Sequence, residues 1–336
     1  MRTLTHTVTA AEQGQPLRTL VPKVFGLSTH AFRRLKVQEG IRVNGMPRHV
    51  SYRVSAGEQV AIHLPCETVE SSSSAVPGSA PARPHPSLIA YLDEDLIIVR
   101  KPAPLATLPG RHGQGDSLRE HLADALGLSR DTPYHPVNRL DKGTSGLLCI
   151  ARHEHAQYVL TRDLHSDRFV REYLAVTDGI PDRPHAVISL PIGREDTGVR
   201  RIIRPDGKTA ITTYTVLYAE PSSGHALIHL ALQTGRTHQI RVHLASLGCP
   251  VAGDYLYGTE HPALPGRFAL HSACLQCRQP CSGTLLTFLD PLPAQLASLF
   301  HHPEEAVSRA SQAFSAFEDL TVGLSPEQTD HDSDLI

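Results

Sequence analysis

The chain has 336 residues, 40% hydrophobic and 20% charged, with a net charge of −2 at neutral pH. That is ample apolar material for two or three compact units, and as a total it does not suggest a polyanion-binding protein. No apolar run approaches the roughly 20 residues of a membrane helix. Residues 1–14 lack the apolar core of a secretory signal, and six cysteines in so long a chain read as reduced thiols, so a soluble cytoplasmic protein is expected.

The charge is unevenly placed. Residues 1–65 hold nine Lys and Arg against three acids, a balance of +6. Within them Ser28 or Thr29 caps a helix over 28–38, with Phe32 and Leu35 as its apolar stripe and Gly40 beyond its end. Arg33, Arg34 and Lys36 project from the opposite face. Ile41-Arg42-Val43 runs into Asn44-Gly45, the strongest short hairpin signal, and Val50, Val54, Val60, Ile62 and Leu64 continue in strand-like alternation. A solvated helix face explains any single Arg-Arg-x-Lys. Nine cations in so small an α+β module point instead to a phosphate backbone, with Arg33, Arg34, Lys36 and Arg42 as its contacts. RLKVQEGIRVNG, followed by GEQVAIHLP, resembles the alpha-L RNA-binding domain, the type named after small-subunit ribosomal protein four. That resemblance implies an RNA-binding domain over 1–66.

Residues 67–87, rich in Ser, Pro and Ala, read as a linker. From 88 to 292 strands and helices alternate. Strands over 88–91 and 96–99 form a hairpin around Asp93-Glu94-Asp95, and 147–151 is an apolar strand followed by a helix over 154–165. Strands follow over 172–176, 212–218 and 226–232. A helix over 237–247 is capped by Thr237, lined by Ile240, Leu244 and Leu247, ended by Gly248 and stopped by Pro250. The pattern is α+β with a mixed, mostly antiparallel sheet, and the second domain is expected over 88–300. After Pro293 there is one short helical pattern over 294–300, with a second through Phe317 left open. Residues 301–336, with one Arg against eight acids, read as an acidic and largely disordered tail.

Two segments carry chemistry. In His135-Pro-Val-Asn-Arg-Leu-Asp-Lys-Gly-Thr-Ser-Gly146, Asp141 stands between Arg139 and Lys142, with glycines for a tight turn and hydroxyl donors behind it. Such neighbours hold a carboxylate ionised, as a nucleophile or base requires; a strand-ending turn with local ion pairing is the plainer alternative. In Gly235-Arg-Thr-His-Gln-Ile-Arg241, Arg236, His238 and Arg241 crowd a helix N-terminus whose dipole disfavours the two arginines. A phosphate or a buried carboxylate would compensate them, and surface arginines are again the plainer alternative.

NRLDKGTSGLL together with GRTHQIRVHLASLGCPVAGDYLYG resembles the RluA-type pseudouridine synthases, which isomerise uridine in structured RNA. RKPAPLATLPG, REYLAVTDG, LPIGR, GKTAITTY and LHSACL follow in the family's order, so the resemblance spans 88–292. It implies that Asp141 attacks the nucleotide and lets the glycosidic bond break, after which the uracil rejoins through carbon 5. It implies that Tyr173 packs on the target base and is placed for proton transfer, that Arg241 pairs with the aspartate, and that Arg139 fills the gap left by the flipped base. Arg236 is a further candidate RNA contact. No group is transferred from a donor and no redox change occurs, so no cofactor is expected. The expected partner is structured RNA, ribosomal or transfer, and the expected state is a monomer.

This sequence departs from the family pattern at Asn138, where His is usual, which makes proton transfer from that position unlikely to be used, and at Pro104, where glycine is preferred. His271, Cys274, Cys277 and Cys281 have ligand-like spacing, but they fall where the family has a strand, whose residues three apart face opposite ways; no metal is expected. Two rivals remain: a non-catalytic RNA-binding protein on the same scaffold, and a carboxylate-pair glycosidase, for which no second acid is evident.

Overall fold

The computed structural model describes residues 2–64, 88–110, 116–129, 132–196 and 198–318. The linker over 67–87 and the end beyond 318 lie outside the described residues.

The first unit comprises β1 (Arg2–Thr7), α1 (Leu17–Phe25), α2 (Thr29–Val37), β2 (Ile41–Val43), β3 (Met46–Pro47) and β4 (Gln59–Leu64), with sheet order β1-β4-β2-β3. Ser28 caps α2 by accepting the Ala31 N–H at 3.1 Å. Asn44 and Gly45 both take left-handed φ (50° and 81°), the pair that a two-residue hairpin turn requires. Leu17, Leu20 and Val21 of α1 share a core with Leu35, Ile41, Val43, Val60 and Ile62. The sequence reading missed β1 and α1. Pro22 sits inside α1 and obscures its pattern. Val50 and Val54, expected in strands, lie instead in a turn and in irregular chain, and the carbonyls of Tyr52 and Val50 accept the Leu17 and Arg18 N–H groups that open α1.

The second unit begins with β5 (Ile89–Leu92), β6 (Leu96–Lys101), α3 (Leu118–Ala125), β7 (His135–Pro136), β8 (Ser145–Ala151) and α4 (Glu154–Asp163). Next come β9 (Phe169–Asp178), β10 (His185–Ser189), the small hairpin β11 (Ile192–Arg194) and β12 (Arg201–Ile203), then β13 (Ile211–Glu220) and β14 (His225–Leu232). The chain continues through α5 (Gln239–Ser246), β15 (Leu270–Arg278), β16 (Leu285–Leu289), α6 (Ala294–Ala297) and α7 (Pro303–Glu318). Ten strands form one sheet, in the order β10-β13-β14-β9-β15-β8-β6-β5, with β16 paired to β15 and β7 to β8. Every pairing in it is antiparallel except β15 with β8. The fold is α+β with a mixed, mostly antiparallel sheet, as the sequence suggested.

Two boundaries differ from expectation. The helix expected from Thr237 starts at Gln239, because His238 before it is left-handed (φ 58°) and Thr237 does not cap it. In the segment read as a tail from residue 301, α7 sets Ala306, Ala310 and Phe314 at i, i+4 and i+8 into the main core, as an amphipathic helix must. Glu304 is exposed and Glu305 pairs with Arg309.

Candidate active site

Asp141 sits in the loop between β7 and β8, and the loop is fastened from three sides. Lys101, fully buried, donates its Nζ to the carbonyls of Pro102 (3.0 Å), Leu105 (2.7 Å) and Lys142 (3.4 Å). Burial lowers its pKa to about 7, against the pull of Asp141's charge. The Thr107 hydroxyl donates to the Leu140 carbonyl at 2.7 Å, and the Leu105 N–H donates to Lys142. The glycines do the rest: a Cβ at Gly143 would lie 2.6 Å from the Phe268 ring, and one at Gly146 (φ 105°) would lie 2.2 Å from the Ser272 carbonyl oxygen. The RKPAPLATLPG segment is thus a scaffold for the Asp141 loop, and its Ala103–Pro104 bond is cis.

Arg241, on the first turn of α5, reaches Asp141 through Nη1 (3.0 Å to Oδ2). Its Nε and Nη2 go to the two oxygens of Asp254, at 2.6 and 2.7 Å. Arg241 and Asp254 are buried, while the Asp141 side chain keeps 30% exposure on its open side. Burial disfavours the guanidinium charge, but Asp254 and then Asp141 outweigh it and hold the pKa above its ordinary value. Phe268 and Tyr257 sandwich the guanidinium, with centroids at 4.2 and 5.0 Å. Of the two arginines expected to need a compensating anion, Arg241 finds two carboxylates, while Arg236 donates to the Thr209 carbonyl instead.

His238 lies on the same side of Asp141, with Nε2 3.8 Å from Oδ2. The Tyr257 hydroxyl accepts the Arg201 N–H at 2.8 Å, so its own proton points to His238 Nδ1, 2.9 Å away. That leaves the Nε2 proton directed toward Asp141, and burial pushes the imidazole pKa down, which favours this neutral form.

Tyr173 is buried on β9, opposite Ser272 of β15, the strand that Gly146 abuts. Burial pushes its hydroxyl pKa up, and the Asp141 charge adds to the shift. Arg139 is exposed two residues before Asp141. Asn138 is buried, its Oδ1 accepting the Cys149 N–H at 3.1 Å. Arg236 is half-buried and donates its Nε to the Thr209 carbonyl. In the first unit Arg33, Lys36 and Arg42 are exposed, and Arg42 donates to the Gly45 carbonyl. Arg34 is partly engaged elsewhere, with Nη1 3.3 Å from Glu154 of α4.

Sequence reasoning missed Asp254, Tyr257 and Lys101, and marked His238 only as one of the polar groups at the helix N-terminus. A signal for Asp254 did exist: an arginine buried with one half-exposed acid implies a second carboxylate, and GDYLYG supplied it. The His/Cys spacing resolves into strand geometry, with Cys274 and Cys277 of β15 in core clusters on opposite faces of the sheet and His271 Nδ1 2.9 Å from the Ser145 hydroxyl.

Residues 95–246 match the family described as RNA pseudouridylate synthase, a stretch that contains Asp141, Tyr173 and Arg241. The uncharacterized RNA pseudouridine synthase YhcT of Bacillus subtilis is 37% identical over 213 residues, 63% of this chain and 70% of the relative. The chain belongs to the RNA pseudouridine synthase family. The ribosomal large subunit pseudouridine synthase D of Nitrosomonas europaea is 40% identical over 239 residues, 67% of this chain and 68% of that protein. The solved structure of human RNA pseudouridylate synthase domain containing 1 superposes with a TM-score of 0.52 at 28% identity, covering 67% of this chain and 89% of that one. As a pseudouridine synthase the protein is an isomerase acting on RNA, which sets aside both the non-catalytic scaffold and the glycosidase. Among the described residues no helix is long and apolar enough to cross a membrane.

Proposed function

We propose that this pseudouridine synthase converts specific uridines of a structured RNA, ribosomal or transfer, with Asp141 as the attacking carboxylate. The observation that carries the reading is the Asp141–Arg241–Asp254 arrangement: one half-exposed carboxylate, held and aimed by a buried guanidinium that a second, buried carboxylate fixes in place.

A uracil stacked in a helix hides its glycosidic bond, so the target nucleotide must leave the stack, and Arg139, exposed beside the site, fills the space it vacates. Asp141 then adds to the nucleotide and the bond to nitrogen 1 breaks. The base turns, carbon 5 takes the sugar as the bond to Asp141 breaks, and the proton on carbon 5 leaves while nitrogen 1 gains one, with Tyr173 packed on the base and placed to move it. Substrate and product have the same atoms and oxidation state, so the reaction calls for no cofactor. The first unit serves as an alpha-L-type RNA-binding domain through Arg33, Lys36 and Arg42, supported by its basic balance and exposed cations. A monomer in the cytoplasm suffices for all of this.

The test is tritium release from RNA labelled at uracil carbon 5. Wild-type protein releases label and Asp141→Ala does not; equal release by both, or none from any cellular RNA, overturns the reading.

A further inference from the structure

Next to the Asp141 site lies a cavity of about 550 Å³ that the proposed mechanism leaves unused. It is formed by the β11–β12 hairpin, by Asp206-Gly207-Lys208 after it, and by Gly235-Arg236-Thr237 before α5. Arg194, Arg201, Arg204, Lys208 and Arg236 line it, against one carboxylate, Asp206. That carboxylate is taken by Arg204, whose Nη2 lies 3.0 Å from Oδ2. Among the described residues, none of the other four cations pairs with an acid. Arg194 and Arg236 hold only backbone carbonyls, those of Gly198 and Thr209. Arg201 Nη1 is buried with no hydrogen-bond partner, and a buried donor left unmade costs free energy that a ligand would recover.

The cavity is built by the fold. The Lys208 and Ile192 backbones exchange two hydrogen bonds of 2.9 Å. A Cβ at Gly207 would lie 2.6 Å from the Ile192 carbonyl carbon, and one at Gly193 would lie 2.3 Å from Arg204 Cδ. Those glycines let the hairpin fold down so that its arginines and Lys208 face a common space. One wall is shared with the reaction centre: Thr237 lines the cavity while His238, next in the chain, faces Asp141, and Arg201 is fastened to the Tyr257 that packs on Arg241.

We propose that this cavity holds phosphodiester groups of the RNA strand adjoining the uridine presented to Asp141. The proposal rests on the reading of Asp141 as the reaction centre. Forked guanidiniums match phosphate oxygens, and cations collected without counter-charges become favourable once a polyanion replaces its own counterions with them. Uridine brought to Asp141 carries phosphates on both sides, and the shared wall sets this cavity one residue along the chain from His238, whose Nε2 is 3.8 Å from Asp141.

The experiment compares the full chain with its Arg194→Gln/Lys208→Gln double variant. Affinity for a short fluorescein-labelled oligouridylate is titrated across salt concentrations, and tritium release from carbon-5-labelled cellular RNA is followed alongside. The double variant should bind the oligomer more weakly, with a salt slope smaller by about 1.4 for two single-strand phosphate contacts, and its loss of turnover should fall on KM rather than kcat. A slope and KM equal to wild type overturn the proposal. So does a variant that keeps oligomer binding but no longer binds uridine monophosphate, which would make the cavity a mononucleotide site. Absence of tritium release by the wild type would overturn the reaction centre instead, and the oligomer slope would still decide the cavity.

Discussion

Replacing Asp254 by Asn tests the reaction centre at its hidden end. Asp254 has no exposure and accepts Arg241 Nε and Nη2 at 2.6 and 2.7 Å, while its Oδ1 also takes the Leu256 N–H at 3.0 Å. Asn keeps the shape but removes the charge and points either an amide donor at a guanidinium donor or nothing at all. Breaking a buried ion pair costs about 3–5 kcal/mol. Asp141 remains as a second partner, 3.0 Å from Nη1, which places the expected loss near the lower end, about 3 kcal/mol. For a unit of this size that lowers the melting temperature by roughly 6–12 °C. Because the pair is buried, the shift should hardly respond to salt. Arg241 is then free to turn toward Asp141 and pull it out of line, and a displacement of that kind costs about 100-fold in turnover. Thermal unfolding followed by circular dichroism gives the first quantity, and single-turnover tritium release well below both melting temperatures gives the second. A melting temperature unchanged by Asp254→Asn would refute the claim that this carboxylate anchors the site, and normal turnover would refute its role in aiming Arg241.

Three further outcomes follow from described contacts. Lys101→Met leaves the Leu105 carbonyl without its buried donor, while the Lys142 carbonyl keeps the Leu105 N–H, costing about 1–3 kcal/mol and loosening the Asp141 loop; an unchanged urea midpoint together with normal tritium release would count against it. Burial depresses the His271 pKa from 6.5 to about 4, so below pH 6.5 the unfolded chain takes up a proton that the folded one refuses. The stability tied to its neutral form is complete above pH 6.5 and is lost as pH falls toward 4; urea unfolding across that window should therefore show the gap between wild type and His271→Asn narrowing, and parallel curves would contradict the assignment. Deleting residues 1–66 should weaken RNA binding and flatten its salt dependence while the catalytic unit keeps its melting transition, because the first unit has a core of its own; unchanged binding would remove the role given to the basic module.

In the large sheet β5, β6, β8, β9, β13 and β14 were legible as apolar runs or alternating segments, while β7, β10 and β16 were too short or too exposed to stand out; in the first unit Asn44-Gly45 marked the β2–β3 turn. What escaped was structure set by distant partners. α1 hides behind Pro22, and β1, polar on alternate positions, has meaning only beside β4. The start of α5 was misplaced by two residues because His238 takes a left-handed turn that contacts with Tyr257 and Asp141 stabilise, not one that local propensity favours. The last helix was read as tail because acids dominate its composition, while the three residues that bury it are only a small part of it. At the site, Asp141 and Arg241 stood out by their neighbours in sequence. Asp254 did not, since nothing near it in the chain explains a buried acid; only the guanidinium it holds does.

The single parallel pairing in the sheet also fixes when the enzyme becomes competent. Gly146 of β8 fits only against the backbone of Ser272, and the Asp141 loop packs on Phe268, so the reaction centre waits for a strand more than a hundred residues downstream. A chain emerging from the ribosome with its NRLDKG segment already exposed holds every residue of the loop and none of its geometry. Contacts of such separation form late, since the closure entropy of the intervening chain has to be met first. With Asp141 in its proposed role, the geometry of its loop is complete only once β15 is in place, after Arg241 and Asp254 have been made.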